Sequence, residues 1–130
     1  MTTVVDASVV VAALVDDSSV GRWAEDILGS GTLAAPTLMP YEVANVLRRA
    51  SARDELSDDA ARLAHADLLD LTVELVGYEA VAGRAWELRH SMTVYDASYV
   101  ALAEAWAAPL ATLDGRLSRA PGPRCRFLTP

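Results

Sequence analysis

The chain has 130 residues, 52% of them hydrophobic, and a formal net charge of −7 at pH 7. This length and composition predict a single domain over residues 1–130 with a full hydrophobic core, and they exclude global disorder. The net charge argues against general nucleic-acid binding, but all 11 basic residues are arginine, which binds phosphate well, so local basic patches remain compatible with it.

Cysteine and histidine are too scarce for a disulfide framework or for a metal site built from their side chains. Cys125 is the only cysteine, which excludes an intrachain disulfide and fits a reducing cytoplasm. His65 and His90 are expected to be surface or half-buried structural residues. The N-terminus lacks the basic and apolar regions of a signal peptide, and no apolar run approaches the roughly 20 residues that span a bilayer. A cytoplasmic protein without a membrane segment is predicted.

Short β-branched or apolar runs alternate with longer periodic segments along the first half of the chain. The short runs are typical of buried strands, and the periodic segments are typical of helices. Serine caps and glycine or proline breakers mark the element ends. In chain order, the pattern predicts a strand over 2–5, helices over 8–15 and 18–28, a strand over 32–35, and helices over 37–53 and 57–71.

The second half of the chain continues this alternation. It predicts a strand over 72–76, a helix over 78–89, a helix that Asp96 opens, a strand over 109–113, a short helix over 116–119 and an edge strand over 126–128. Strands that alternate with helices imply a parallel sheet. The predicted fold class is therefore α/β, with a central parallel sheet of four to five short strands flanked by helices on both faces.

Four acidic residues follow predicted strands or begin the helices after them. Asp6 and Asp114 each directly follow an apolar strand, Asp96 begins a helix, and Glu42 lies in the first turns of the long helix. Parallel strands all end at one edge of their sheet, which is where ligands bind in open α/β folds. The four carboxylates are therefore expected to converge although they are far apart in sequence.

Converging carboxylates repel one another unless a cation is present. An all-oxygen set suits Mg²⁺ or Mn²⁺, and such an ion activates water for phosphoryl displacement. The chain offers no Ser-His-Asp or Cys-His set and no glycine-rich phosphate loop. Taken singly, each of Asp6, Asp96 and Asp114 is better explained as a helix cap than as a metal ligand, and Glu42 as an ordinary first-turn acid. Composition and spacing leave caps and an acidic metal pocket both open.

The sequence around each acid carries a resemblance to a known family. The relevant segments are VVDAS around Asp6, PYEVANVLRR around Glu42, VYDA around Asp96 and ATLD ending at Asp114. Together, in this order, they resemble the PIN-domain ribonucleases, and specifically the VapC-type toxins of bacterial VapBC toxin–antitoxin systems. The resemblance extends over essentially the whole chain.

The resemblance implies an endoribonuclease toxin that depends on Mg²⁺ or Mn²⁺ and cleaves RNA with metal-activated water. It implies that Asp6 and Asp96 are metal ligands, and that Glu42 and Asp114 complete the pocket through water or a second ion. All four acids would thus be both catalytic and metal-binding.

The resemblance also suggests residues that support this pocket. Thr112 and Ser8 are expected to support it, with Ser8 a donor to the first acid, and Asn45 is expected to be the polar partner of the acid one turn before it. Arg49 lies two turns after Glu42 and could reach substrate phosphate, and Arg116, two residues after Asp114, is placed at the rim of the pocket. A solvated surface arginine explains each equally well.

Partners follow from the same resemblance. It implies a homodimer, a cognate VapB-type antitoxin that forms a heterotetramer or larger assembly with it, and an RNA substrate whose affinity falls with added salt. The helices that hold Trp23 and residues 46–47 are the candidate antitoxin surface. Trp23, Trp86, Trp106 and Tyr41 are expected in the core or at an interface, and Tyr95 is expected to pack.

Three alternatives were weighed against this interpretation. A receiver-type signalling module would carry an acidic pair at the first strand and a lysine at a late strand end, and the chain has no lysine. A haloacid-dehalogenase-like phosphatase would carry Asp two residues after Asp6, where this chain has Ser8. An inactive PIN domain that only binds a partner is not favoured, because all four acids are present.

Overall fold

The computed structural model describes residues 1–130 and is organised around five parallel strands. The strands are β1 (Thr2–Val5), β2 (Thr32–Pro36), β3 (Glu74–Val76), β4 (Leu110–Ala111) and β5 (Phe127–Leu128). The helices are α1 (Ala7–Val15), α2 (Ser19–Leu28), α3 (Met39–Ala52), α4 (Asp58–Asp70), α5 (Ala82–Glu87), α6 (Val94–Ala105) and α7 (Gly115–Ser118), with a 3₁₀ turn over Tyr78–Ala80. None of these helices has the length and hydrophobicity needed to cross a lipid bilayer.

The sheet has the strand order β3-β2-β1-β4-β5, with β1 at its centre. Val4 of β1 is in register with Ala34 of β2 on one side and with Leu110 of β4 on the other. The chain moves outward from β1 to β3 and then returns to place β4 beside β1. The direction of winding therefore reverses between β1 and β4, and in such folds the crevice at that reversal is the usual ligand site.

Helices cover the sheet on both faces, which confirms the predicted α/β architecture. Crossovers between parallel strands are right-handed, so α1 to α4 cover one face and α5 to α7 cover the other. The α1 helix contacts α2, α3 and α4, whereas α6 contacts β1, β2 and β4. Val4 and Val5 of the central strand are fully buried between these layers.

Two predicted helices begin or break elsewhere than the sequence pattern indicates. Asp96 does not open α6, because the helix begins at Val94 and Thr93 is its N-cap. The predicted helix over 78–89 is divided by Val81, whose φ of −123° lies outside the helical range. The Val81 side chain is 4% exposed, so burial of this residue in the core, rather than helical periodicity, determines the path of the chain there.

An ion pair fastens the C-terminal segment to the helical layer of α5 and α6. Arg84 of α5 donates from Nε to Oε1 of Glu104 at 2.7 Å, and the backbone N–H of Arg124 donates to Oε2 of Glu104, also at 2.7 Å. Arg84 also donates to the carbonyl of Gly122 at 2.8 Å. Burial alone would raise the pKa of Glu104, but these hydrogen bonds and the arginine charges outweigh it and lower the pKa.

We expect Glu104→Gln to destabilise the fold in a pH-dependent way. A folded-state pKa below the ordinary value of 4.5 gives stability that is fully present above that value and is lost as the pH falls through the lowered pKa. The variant should therefore lose about 1–3 kcal/mol of unfolding free energy at pH 7 and much less near pH 3. Urea unfolding at both values tests this, with Glu25→Gln, an exposed acid of α2 without an ion pair, as control. A deficit that is the same at both pH values would contradict it.

Candidate active site

Asp6 occupies the first position after β1 and is hydrogen-bonded through both carboxylate oxygens. Its Oδ1 accepts from Ser8 Oγ at 2.5 Å and from the N–H of Val9 at 3.2 Å, which makes Asp6 the N-cap of α1. Its Oδ2 accepts from Thr112 Oγ1, beyond the end of β4. Burial raises the pKa of Asp6, while these hydrogen bonds oppose the rise. Ser8 and Thr112, which were predicted to support the pocket, both contact Asp6 directly.

The hydroxyl of Thr112 also brings Asp114 to this edge of the sheet. Thr112 Oγ1 accepts from the N–H of Asp114 at 3.0 Å while it donates to Asp6. Asp114 Oδ1 accepts from the N–H of Arg116 at 2.9 Å and so caps α7. Asp6 and Asp114 are therefore both helix caps, and the two neighbouring strands β1 and β4 place them at one edge of the sheet.

Glu42 lies in the first turn of α3, and its hydrogen-bond partner is a tyrosine that the sequence analysis did not single out. Tyr99 Oη donates to Glu42 Oε1 at 2.6 Å. Burial, reinforced by the hydrogen bond to Glu42, raises the pKa of Tyr99, so its hydroxyl remains a donor. The available sequence signal was spacing, because Tyr99 follows Asp96 by three residues and such residues share a helix face.

The charges of the acids act on one another. Burial, followed by the charges of Asp114 and Asp6, raises the pKa of Asp96. Burial, followed by the charges of Asp96 and Asp6, raises the pKa of Glu42, against the hydrogen bond from Tyr99. Four acids from four separate parts of the chain are thus close enough for their charges to interact at the carboxyl edge of the sheet, and the region around them is called the electronegative hollow.

This hollow is not a ready-made coordination sphere. No group of three or more Asp, Glu, His or Cys side chains is close enough together to hold a metal ion. Like charges repel, so bringing these carboxylates closer together requires a cation. The donor set consists of oxygen atoms alone, which fits a hard divalent cation in kind. Such a cation would gain three protein ligands only if the carboxylates moved closer together.

Two other predicted polar residues lie apart from the acids. Asn45 is not the hydrogen-bond partner of Glu42, because its Oδ1 accepts from Arg48 Nε at 3.0 Å on the exposed side of α3. Arg49 is exposed and forms no ion pair with any acid. The tertiary contact with α6 supplies the partner of Glu42, and helical spacing within α3 does not.

Of the aromatic residues predicted in the core or at an interface, only Trp23 packs against the core; an interface role for the others stays a prediction. Tyr95 was expected to pack, but it is 65% exposed, since α6 turns Ala97 and the residues after it inward. Tyr41, Trp86 and Trp106 are also exposed, at 80%, 58% and 39%, so these three are not core residues.

The comparisons with known proteins agree with this fold. A family model described as PIN domain matches residues 3–123. This chain belongs to the PIN-domain family. Ribonuclease VapC1 of Mycobacterium tuberculosis is 41% identical to it, over 94% of this chain and 96% of the relative. The recognition of a VapC-type PIN domain is therefore confirmed.

Solved structures extend the likeness to the whole PIN domain. PAE2754 from Pyrobaculum aerophilum has a TM-score of 0.69 at 26% identity, covering 98% of this chain and 83% of that one. VapBC2 from Rickettsia felis, bound to a DNA fragment from its promoter, has a TM-score of 0.68 at 14% identity, covering 99% and 98%. The second likeness concerns the fold alone. The receiver-type alternative is not favoured by these relatives.

We expect Tyr99→Phe in this PIN domain to lower the free energy of unfolding by about 1–3 kcal/mol, because it removes a hydrogen bond to a charged acceptor. The matched control is Tyr41→Phe, since the Tyr41 hydroxyl forms no hydrogen bond within the chain and its side chain is 80% exposed; this change should stay within about 0.5 kcal/mol. Urea unfolding measures both. Equal effects of the two substitutions would contradict the assigned contact.

Proposed function

We propose that this VapC-type PIN domain is a divalent-metal-dependent endoribonuclease and the toxin component of a type II toxin–antitoxin system. The observation that carries the proposal is the electronegative hollow at the crevice between β1 and β4, where partial burial, and after it the charges of neighbouring acids, raise the pKa of Glu42 and of Asp96. Support comes from the 41% identical relative, which is named a ribonuclease.

The metal would be Mg²⁺ or Mn²⁺, held by Asp6 and Asp96, with Glu42 and Asp114 completing the pocket. Oxygen-only donors and the absence of a cysteine or histidine at this edge support this choice. When bound, such a cation activates water and offsets the negative charge of a phosphodiester under attack.

The residues around the acids have positioning roles in this proposal. Ser8 and Thr112 hold both oxygens of Asp6 by hydrogen bonds, which fixes the carboxylate in one orientation. Tyr99 does the same for one oxygen of Glu42. Such fixed orientation is what groups around a metal site commonly contribute.

The proposed partners are an RNA substrate, a cognate VapB-type antitoxin and a second copy of this chain. A structural neighbour that is a VapBC pair supports the antitoxin. The homodimer and the assembly of two toxins with two or more antitoxins stay predictions from the family resemblance. Size-exclusion chromatography with light scattering, on the chain alone and with its antitoxin, measures both.

Sequencing of RNA ends after induced expression tests the function and identifies the substrate. New 5′ ends should appear at defined positions within minutes of induction, and they should be absent when Asp96→Asn is expressed to the same level. Identical RNA ends for the parent chain and Asp96→Asn would overturn the proposed nuclease site. Absence of new ends for both would overturn the endoribonuclease activity itself.

A further inference from the structure

The cavity between α6 and α7 lies directly beside the hollow formed by the acids. It has a volume of about 300 Å³, and its lining includes Asp96 and Asp114 as well as Ser91, Thr93 and Arg116. It therefore combines two of the proposed metal ligands with a guanidinium and two hydroxyls. A strand of RNA with one phosphate at the acids must place a neighbouring part of its backbone in or beside this cavity.

Arg116 is the only basic residue in the lining of this cavity, and its side chain has no partner within the chain. Its guanidinium forms no hydrogen bond or ion pair within the chain, and the side chain is exposed. Its positive charge nevertheless acts on Asp96. It works to lower the pKa of Asp96, but burial and the other acids have the larger effect, so that pKa is raised overall. By contrast, Arg62 and Arg84 are paired with acids of their own.

The two hydroxyls add neutral donors to this charge. Thr93 Oγ1 accepts from the N–H of Asp96 at 3.2 Å, which leaves its hydroxyl hydrogen free to donate outward. The hydroxyl of Ser91 has no hydrogen-bond partner within the chain and lines the same cavity. A guanidinium fork together with hydroxyl donors is the combination that binds phosphate oxygens.

We propose that this cavity is a phosphate subsite for the RNA backbone, in which Arg116 binds a phosphodiester next to the one that is cleaved. The inference rests on the proposed endoribonuclease function and deepens it by assigning a substrate contact. Asp96 and Asp114 make the cavity continuous with the reacting centre, so its occupant is the substrate strand rather than a separate ligand. The negative charge of the chain as a whole makes a single free arginine at this position decisive for affinity.

The salt dependence of RNA binding tests the subsite. A short fluorescein-labelled single-stranded RNA of mixed sequence is titrated at several salt concentrations and a fixed Mg²⁺ concentration. The background variant is Glu42→Gln, which should prevent cleavage and lies outside this cavity. Adding Arg116→Ala should weaken binding about 10- to 100-fold. It should also reduce the slope of log K against log salt by about 0.7, as expected for one lost phosphate contact on a single strand.

Two further variants provide the controls. Arg116→Lys keeps the charge and should retain the slope while losing part of the affinity, because lysine lacks the fork. Arg53→Ala removes the same charge from an exposed, unpaired arginine at the C-terminal end of α3, outside the cavity lining, and should change neither quantity appreciably. In the chain with native Glu42, Arg116→Ala should raise KM more than it lowers kcat.

The outcomes separate this inference from the function on which it rests. Cleavage by Glu42→Gln at the parent rate would overturn the proposed site itself. An inactive Glu42→Gln protein whose slope is the same with Arg116→Ala would overturn the subsite alone. An unchanged slope with a higher Mg²⁺ requirement would also overturn it, and would assign Arg116 to the electrostatics of Asp96. Equal effects of Arg116→Ala and Arg53→Ala would show that only the net charge of the chain matters and would reject the subsite.

Discussion

Asp96→Asn is expected to lower metal-dependent RNA cleavage at least about 100-fold and to leave the fold at least as stable as that of the parent. The loss of activity follows from removing a proposed metal ligand, since groups that only orient such ligands already contribute about 10- to 100-fold. The stability follows from charge, because burial and the neighbouring acids raise the pKa of Asp96 and so disfavour its ionised form. Removing that charge relieves repulsion.

Initial cleavage rates and urea unfolding, measured on the same preparations, check both parts of the prediction for Asp96→Asn. The matched control is Asp67→Asn, an exposed acid of α4 outside the site, which should keep the parent activity and stability. Asp6→Asn should also abolish cleavage, but it should lower the free energy of unfolding by about 1–3 kcal/mol. The Asp6 side chain is 7% exposed and accepts through one oxygen from Ser8 and through the other from Thr112. An amide has only one acceptor oxygen, so Asn cannot keep both hydrogen bonds. Cleavage by Asp96→Asn at the parent rate would refute the site.

Removal of divalent metal is expected to abolish RNA cleavage and to lower the thermal stability of the chain. The acids repel one another in the folded state, so a cation that binds only the native hollow stabilises it. At about 100 times its Kd, the metal should add about 2.7 kcal/mol to the free energy of unfolding. Chelation with EDTA followed by addition of Mg²⁺ or Mn²⁺ should restore both activity and the melting temperature.

The control for the metal prediction is the same titration with Asp96→Asn. That variant should show a much smaller rise in melting temperature with Mg²⁺, because it lacks a proposed ligand, while Asp67→Asn should respond as the parent does. Full activity in EDTA would refute metal dependence. A rise in melting temperature that is equal in Asp96→Asn and in the parent would place the metal elsewhere on the chain.

The strand-end acids illustrate what sequence patterns predict well. Asp6 and Asp114 each follow a short apolar run, and the rule that parallel strands end at one edge was enough to expect them at the same place. The structure places them there, linked through the hydroxyl of Thr112. The strands β1 and β2 were predicted almost to the residue, because a short apolar run and the Asp or Pro at its end are local signals; Pro36 itself is the last residue of β2.

Contacts between elements were less predictable. Helical spacing within α3 pointed to Asn45 as the partner of Glu42, but the hydrogen bond comes from Tyr99 on α6, 57 residues later in the chain. The start of α6 at Val94, with the backbone N–H of Asp96 donating to Thr93 Oγ1, places Asp96 inside the first turn, whereas periodicity alone predicts it at the helix boundary.

The sequence by itself determined the alternation of strands and helices, the family, and the positions of the acids at the ends of strands and the starts of helices, because each of these depends on residues within a few positions of one another. Only the tertiary structure decided which side chains hold those acids, how far apart the carboxylates stay and which arginine faces them. These features depend on the packing of α6 and α7 against the sheet, and on the balance between charge repulsion and burial. No local pattern encodes that balance.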